Sequence, residues 1–423
     1  MKGEDQPLVI SNVALEGKPV DIVINDGIIE AIHPHKPQFS IPHSLIIDAS
    51  GKVAFPTFAN LHTHAAMTLL RGYGNDVPLQ SWLNDWIWPK EKLLTDEHIY
   101  WGVRLACLEM LRCGTTAFAD MYFFLPAAAR AVHDSGLRAL LGDTVFGDAE
   151  AMADAASHKV PDWQDDRVRY AVAPHAIYSV SETGLRRVAH YCKANNLLCH
   201  IHMSETAEEV ENCLQQHGCR PYEYLERIGV LEQLDHRIIG VHSLHLSPEE
   251  MRLMARYGVV AVHNPNSNLK LGSGHQFQYK ELRQAGVRVA LGTDGCASSN
   301  NLDMLEAAKT MSLLQKGWRN DPTVMPAAET LQVASRNGFE ALGLNAGEVA
   351  VGRLADLMLV DLNHWAMVPD TDTRANLLYA AHSDAIDTVI CNGRILMRNR
   401  QVAGEAEVIA AVRRIAKELQ VTQ

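Results

Sequence analysis

Residues 53–64 read Val-Ala-Phe-Pro-Thr-Phe-Ala-Asn-Leu-His-Thr-His, a largely apolar run that ends in two histidines, His62 and His64. Outward from it the chain alternates short apolar runs with longer helical stretches, the texture of parallel βαβ units. The runs are 54–64, 115–120, 139–145, 168–173, 197–202, 238–242, 259–263 and 287–294. Several follow a helix that ends in glycine, at Gly114, Gly136, Gly258 and Gly286, where the backbone needs a positive φ. Eight such strands fit a closed barrel better than an open doubly wound sheet, and no GxGxxG turn follows the first of them. Polar residues gather at their C-terminal ends: His62 and His64, Asp120, His175, His202 with Glu205, His242, His263 and Asp294. That is the face on which barrel enzymes carry their chemistry.

The two ends of the chain have a different texture. Strand-like runs at 8–13, 21–24, 28–32 and 45–55 surround an Asn25-Asp26-Gly27 turn, and runs at 356–362 and 388–397 surround Asn392-Gly393. Asp-Gly and Asn-Gly between apolar alternations are hairpin signals. The expected α/β architecture is a distorted (β/α)8 TIM barrel over 58–349, with a small discontinuous β-sandwich domain made from 1–57 and 350–423.

Composition narrows the function. A chain of 423 residues, 47% of them hydrophobic and 21% charged, has material for a large core and no bias toward disorder. A formal charge of -12 and the lack of a Lys/Arg cluster argue against nucleic acid as a partner. Acidic residues stand in MKGEDQPLVIS where a signal peptide would be apolar, and no run approaches the ~18 apolar residues of a membrane span, so a cytoplasmic location without membrane contact is expected. Cys107, Cys113, Cys192, Cys199, Cys213, Cys219, Cys296 and Cys391 form no CxxC pair. They read as reduced thiols, and they argue against the deaminase design in which a PCxxC pair holds the metal.

His62 and His64, two apart on a strand, point to the same side and can grip one ion. Such a pair also arises by chance on surfaces, so its weight comes from His202 in CHIHMSET and Asp294 in LGTDG, each at a later strand end. Three imidazoles and a carboxylate suit Zn2+ with a position open for water, and Fe2+ or Mn2+ fit the same donors. Alone, Asp294 would read as a turn residue before Gly295. An ion held there lowers the pKa of its water toward ~7 and so supplies hydroxide at neutral pH. Replacing an amino group on an aromatic carbon also needs an acid for the ring nitrogen, and Glu205, three residues past His202, is placed for it. Glu205 also suits the N-terminus of a helix over 206–216, a compatible role. His242 or His245 can hydrogen-bond the nucleophile, His242 being nearer its strand end. His175 in APHAIYS can address a purine ring or serve as a loop histidine, and His263 reads as a core residue. The fourth strand, VRYAVAPHA, has no lysine to carbamylate, so one metal is expected.

With these residues in place the chain resembles the amidohydrolase superfamily and, within it, the 5′-methylthioadenosine/S-adenosylhomocysteine deaminases. The likeness is carried in order by NLHTHAAMTLLRGY, WLNDWIWPKE, APHAIYS, HIHMSET, VHSLHLS, HNPNSNLKLGSG and LGTDGCASSNN. The resemblance implies His62, His64, His202 and Asp294 as zinc ligands, with Asp294 also taking a proton from water. It implies Glu205 as proton shuttle and His242 as the group that polarises the hydroxide. Glu91, at the end of the Trp-rich segment, would bind the ribose hydroxyls, and His175 would contact substrate, as would Glu205 and Asp294. The implied reaction is hydrolytic loss of the adenine 6-amino group of 5′-methylthioadenosine, giving 5′-methylthioinosine, in a homo-oligomer. Trp82, Trp86 and Trp88 would pack over the nucleoside or bury a helix face.

Two departures from the family pattern stand out. Thr57 replaces the usual glycine before the metal strand, so that turn must avoid positive φ or bear strain. The stretch from Leu141 to Asp166 has no arginine and one lysine, Lys159, where relatives that take S-adenosylhomocysteine hold its carboxylate with arginines. This ranks 5′-methylthioadenosine above S-adenosylhomocysteine, with adenosine also a candidate. The competing readings are another deaminase or chlorohydrolase of the superfamily, acting on guanine, cytosine or a triazine, and a catalytically silent homologue that assembles with partners.

Overall fold

The computed structural model describes residues 6–37, 41–150 and 167–421. Strands β1 (Leu8–Leu15), β2 (Lys18–Asn25), β3 (Ile28–Pro34), β4 (Leu45–Asp48) and β5 (Lys52–Pro56) open the chain. The barrel strands follow: β6 (Phe58–Thr63), β7 (Thr115–Tyr122), β8 (Arg138–Val145), β9 (Val168–Pro174), β10 (Leu198–Met203), β11 (Ile238–His242), β12 (Val260–His263) and β13 (Arg288–Leu291). Then come β14 (Leu357–Asp361), β15 (Ile386–Cys391), β16 (Arg394–Arg398) and β17 (Gln401–Val402), and the C-terminal helix Glu405–Glu418.

Strands β6 to β13 pair in chain order, each parallel to the next. Every residue of β6, β7, β11 and β12 is buried, as expected when helices cover a parallel sheet. The seam between last and first strands is nearly closed and uses few bonds. The Asp294 amide donates to the His62 carbonyl (3.0 Å), the Thr293 amide to Asn60 Oδ1 (3.1 Å), and Asn60 Nδ2 to Thr293 Oγ1 (2.7 Å). The glycines that end the preceding helices do take positive φ: 78° at Gly114, 82° at Gly136, 61° at Gly258 and 88° at Gly286.

Both chain termini build one mixed nine-stranded sheet, with β5 at its centre between β1 and β14. The two expected hairpins are present, with positive φ at Asp26 and Gly27 and at Asn392 and Gly393. The two turns abut, since a Cβ on Gly27 would lie 2.8 Å from Asn392 Oδ1. A buried Asp356 ties this sheet to the barrel: it receives Arg138 Nε (2.9 Å), the Asn392 amide (2.7 Å) and Thr116 Oγ1 (3.3 Å).

The first apolar run differs from its sequence reading. Instead of one strand over 54–64, the chain changes sheets at Thr57, between β5 and β6. Thr57 is not among the positive-φ residues. Its hydroxyl meets that of Thr116 at 2.6 Å and its carbonyl accepts Ser335 Oγ at 2.7 Å, so a fully buried threonine makes the crossing without glycine. The last run is likewise shorter than expected, because 292–294 leave the ladder after Leu291 to make the seam. Among the described residues no helix is long and apolar enough to cross a membrane, and all eight cysteines are free thiols. Lys159 and most of the arginine-free stretch lie outside the described residues.

Candidate active site

At the C-terminal ends of the barrel strands, His62 and His64 project from β6 and the turn after it, His202 from β10, and Asp294 from the seam. His62 Nε2 lies 3.3 Å from Asp294 Oδ1, as does His64 Nε2, and His202 Nε2 lies 3.2 Å from His62 Nε2. The other nitrogen of each ring is committed. His64 Nδ1 donates to the Met121 carbonyl (2.7 Å), His202 Nδ1 to the His175 carbonyl (2.9 Å), and His62 Nδ1 faces His200 Nε2 (3.0 Å). The carbonyl partners leave lone pairs on Nε2 of His64 and of His202, and His62 Nε2 lies within 3.3 Å of both His202 Nε2 and Asp294 Oδ1. Three imidazoles and a carboxylate gathered this closely suit a cation among them. Ligand atoms about 3.3 Å apart are what bonds of about 2.0–2.1 Å give at a tetrahedral ion. The donor set therefore fits a divalent metal.

Asp294 accepts Ser267 Oγ on Oδ2 (2.6 Å) and the Gly295 amide on Oδ1 (2.8 Å). Burial opposes its ionisation, yet the hydrogen bond with His62 and the neighbouring imidazoles hold its carboxyl well below the usual range. Burial also pushes His62 down to about 3 and His202 well below its ordinary value, which keeps both rings neutral, as metal ligands must be. Asp294 and His242 both sit at left-handed φ, 65° and 68°, a conformation rare outside glycine and tolerated at functional sites.

His242 ends β11. Its Nδ1 receives the side-chain amides of Asn268 (3.0 Å) and Asn264 (3.3 Å), so the proton resides on Nε2, which lies 3.6 Å from Glu205 Oε2. Glu205 is held by Ser273 Oγ at Oε1 (3.1 Å), while its backbone amide and that of Ser204 donate to the buried Glu209. His245 turns away to the Ser273 carbonyl (2.8 Å). His263 stacks on Phe277, ring centroids 4.2 Å apart.

These groups floor a cavity of about 660 Å3, part of it open to solvent. His64, His175, His202, Glu205, His242, Asp294 and Glu91 all line it, as do Trp82 and Trp88 but not Trp86. Trp86 is exposed and packs edge-on against Tyr73. His175 is fixed by Ser179 Oγ at Nδ1 (2.8 Å) and stacks on Phe146, and burial pushes it down to about 4. No lysine or arginine is among the described lining residues.

Over residues 53–396 the sequence matches the family described as the amidohydrolase family. The chain belongs to the amidohydrolase family. The 5′-deoxyadenosine deaminase of Methanospirillum hungatei is 44% identical over 383 residues, 89% of this chain and 85% of that one. The 5-methylthioadenosine/S-adenosylhomocysteine deaminase of Moorella thermoacetica is 42% identical over 91% of each chain. A zinc-bound adenosine deaminase from Xanthomonas campestris has the same fold, with a TM-score of 0.90, 33% identity and 98% of each chain covered.

In this amidohydrolase the residues missed by sequence reasoning stand behind those it found. Asn264, Ser267 and Asn268 share one face of the helix Pro265–Lys270 and its cap, at spacings of three and four. That spacing was present in HNPNSNLKLGSG, but nothing in it says which groups the face addresses. His200, two before His202, was legible as a second same-side histidine on its strand. Tyr122 at the end of β7 carried no signal apart from its position.

Proposed function

We propose that this amidohydrolase removes the 6-amino group of an adenine nucleoside by hydrolysis, releasing ammonia and a hypoxanthine nucleoside, with 5′-methylthioadenosine the preferred substrate. The observation that carries the reading is the convergence of His62, His64, His202 and Asp294 at the floor of a cavity that also presents Glu205 and His242. Those four residues would hold one divalent ion, most readily Zn2+, with Fe2+ or Mn2+ as alternatives. The ion supplies Lewis acidity that makes water nucleophilic at neutral pH. Asp294, kept ionised by its neighbours, takes a proton from the attacking water. Glu205 delivers a proton to the ring nitrogen, takes up the second proton of the water and passes it to the departing amine, and the proton held by Asp294 then restores Glu205, with Ser273 fixing its carboxyl. His242 donates from Nε2 toward the incoming oxygen, held in that tautomer by Asn264 and Asn268. His175, neutral and anchored by Ser179, offers Nε2 to the purine, and Glu91 receives the sugar hydroxyls.

The preference for an uncharged 5′ group is supported by the lining, where Phe123, Phe146, Trp88 and Leu83 stand and no described cation does. A carboxylate tail beside the sugar would lie near Glu91 with no described cation to compensate it. The relatives' names add 5′-deoxyadenosine to adenosine and S-adenosylhomocysteine as further candidates. Free thiols throughout accord with a reducing, cytoplasmic setting, and a homo-oligomer completes the reading.

The test is kcat/KM on metal-loaded protein for these four nucleosides, followed by loss of adenine absorbance. Methylthioadenosine and 5′-deoxyadenosine should exceed S-adenosylhomocysteine by about tenfold or more. Equal use of S-adenosylhomocysteine would mean that a cation does reach its tail, and no activity on any would move the protein to another amidohydrolase substrate.

A further inference from the structure

Glu91 ends the short helix Trp88–Glu91, outside the barrel proper, yet its carboxyl lines the cavity. The same cavity is lined by Leu79, Leu83, Ile87, Trp88 and Met121. Burial raises its pKa, and the polar groups that act against this are the Tyr122 hydroxyl and His64. Tyr122 is the last residue of β7, 3% exposed, and its carbonyl accepts Thr144 Oγ1 at 3.1 Å. Its ring packs 6.2 Å from that of His64 and 5.1 Å from that of Phe123. The hydroxyl is buried without a hydrogen-bond partner, and Tyr122 and Glu91 line the same cavity. An orphaned buried hydroxyl in a well-packed wall costs stability unless something completes it.

We infer that Tyr122 is the positioning residue for Glu91: its hydroxyl aims one carboxylate oxygen of Glu91 so that the pair accepts the cis-diol of a ribose. The inference rests on the proposed binding of an adenine nucleoside with its sugar against Glu91. A glutamate side chain has several rotamers, and a donor fixed to a barrel strand selects one of them. The diol donates to the oriented carboxylate. Tyr122 thereby acts on sugar recognition and has no part in the proton transfers at the ring.

Adenosine and 2′,3′-dideoxyadenosine, compared in the metal-loaded enzyme, in Tyr122→Phe, in Glu91→Gln and in the double variant, test this. Loss of one hydrogen bond to a charged group should lower kcat/KM for adenosine about tenfold in Tyr122→Phe, mostly through KM, and leave the dideoxy substrate within about twofold. The double variant should be no worse than Glu91→Gln alone, because the two residues act as one unit. Equal losses on both substrates would assign Tyr122 a merely structural role and overturn the inference, as would losses that multiply in the double variant. If the unsubstituted enzyme deaminates neither of these nor 5′-methylthioadenosine, the functional reading itself falls and takes this inference with it; if it takes methylthioadenosine alone, that nucleoside and its 2′,3′-dideoxy form replace the pair in the same comparison. If it deaminates both but Glu91→Gln leaves the riboside preference intact, the sugar assignment of Glu91 fails and Tyr122 has nothing to position.

Discussion

Glu205→Gln keeps the length and polarity of the side chain, and the Ser273 hydroxyl can still reach its oxygen. What it removes is the exchangeable proton. Turnover should fall by about 100-fold or more while bound metal, measured by elemental analysis, stays at the level of the parent protein. Near-normal turnover would defeat the shuttle role. Glu205 was legible in the sequence because its spacing from His202 spans a strand end, as were His62, His64 and Asp294 at their own strand ends. Ser267 on Asp294, Asn268 on His242 and Ser273 on Glu205 were not, since the partner of each lies on a different strand or loop and pairing waits on barrel closure. Trp86 shows the limit from the other side. It shares a segment and a residue type with Trp82 and Trp88, and only its helical phase turns it to solvent.

At the scale of elements, the crossing at Thr57 carries its own prediction. Thr57→Gly would restore the residue usual in similar chains, but here the backbone has no positive φ to relieve. The substitution removes the contact with Thr116 and adds freedom to the unfolded chain, so it should destabilise by about 1–2 kcal/mol, read as a lower thermal midpoint. A higher midpoint would reveal strain at that crossing. The eight runs were legible as strands because burial on both faces leaves an almost unbroken apolar signature. The division of the first run between two sheets was not, for a strand that leaves one sheet and enters another keeps the same apolar texture throughout. The C-terminal helix Glu405–Glu418 also had no part in the sequence reading. It packs beside the segment that carries Glu91, with Lys90 Nζ donating to the Leu419 carbonyl (2.8 Å) and Arg414 pairing with Glu97 (2.5 Å).

For the molecule as a whole, buried neutral imidazoles set the acid limit. Burial pushes His175 down to about 4 and His263 down to about 3, against an unfolded value near 6.5. Both folded values lie below the unfolded one, so the unfolded chain binds more protons in between. Their contribution is complete above about pH 6.5 and declines as the pH falls toward 4 and then 3, at roughly 1.4 kcal/mol per pH unit for each ring. Glu209, pushed up to about 8 by burial, works in the opposite direction over the same range, so in a Glu209→Gln background the thermal midpoint of metal-free protein should drop between pH 7.5 and pH 5.5, and a flat profile there would mean that the buried rings are protonated within the fold.

The seam adds a matter of timing. Asn60 and Thr293, which hold it beside the proposed metal ligands, stand 233 positions apart in the chain. A ribosome delivers His62 and His64 early and Asp294 only after the other seven barrel strands have been made. A nascent chain thus carries histidines with no carboxylate to complete them, and the full donor set first exists when the ends of the barrel meet. If His62, His64, His202 and Asp294 hold an ion as proposed, its capture waits on barrel closure.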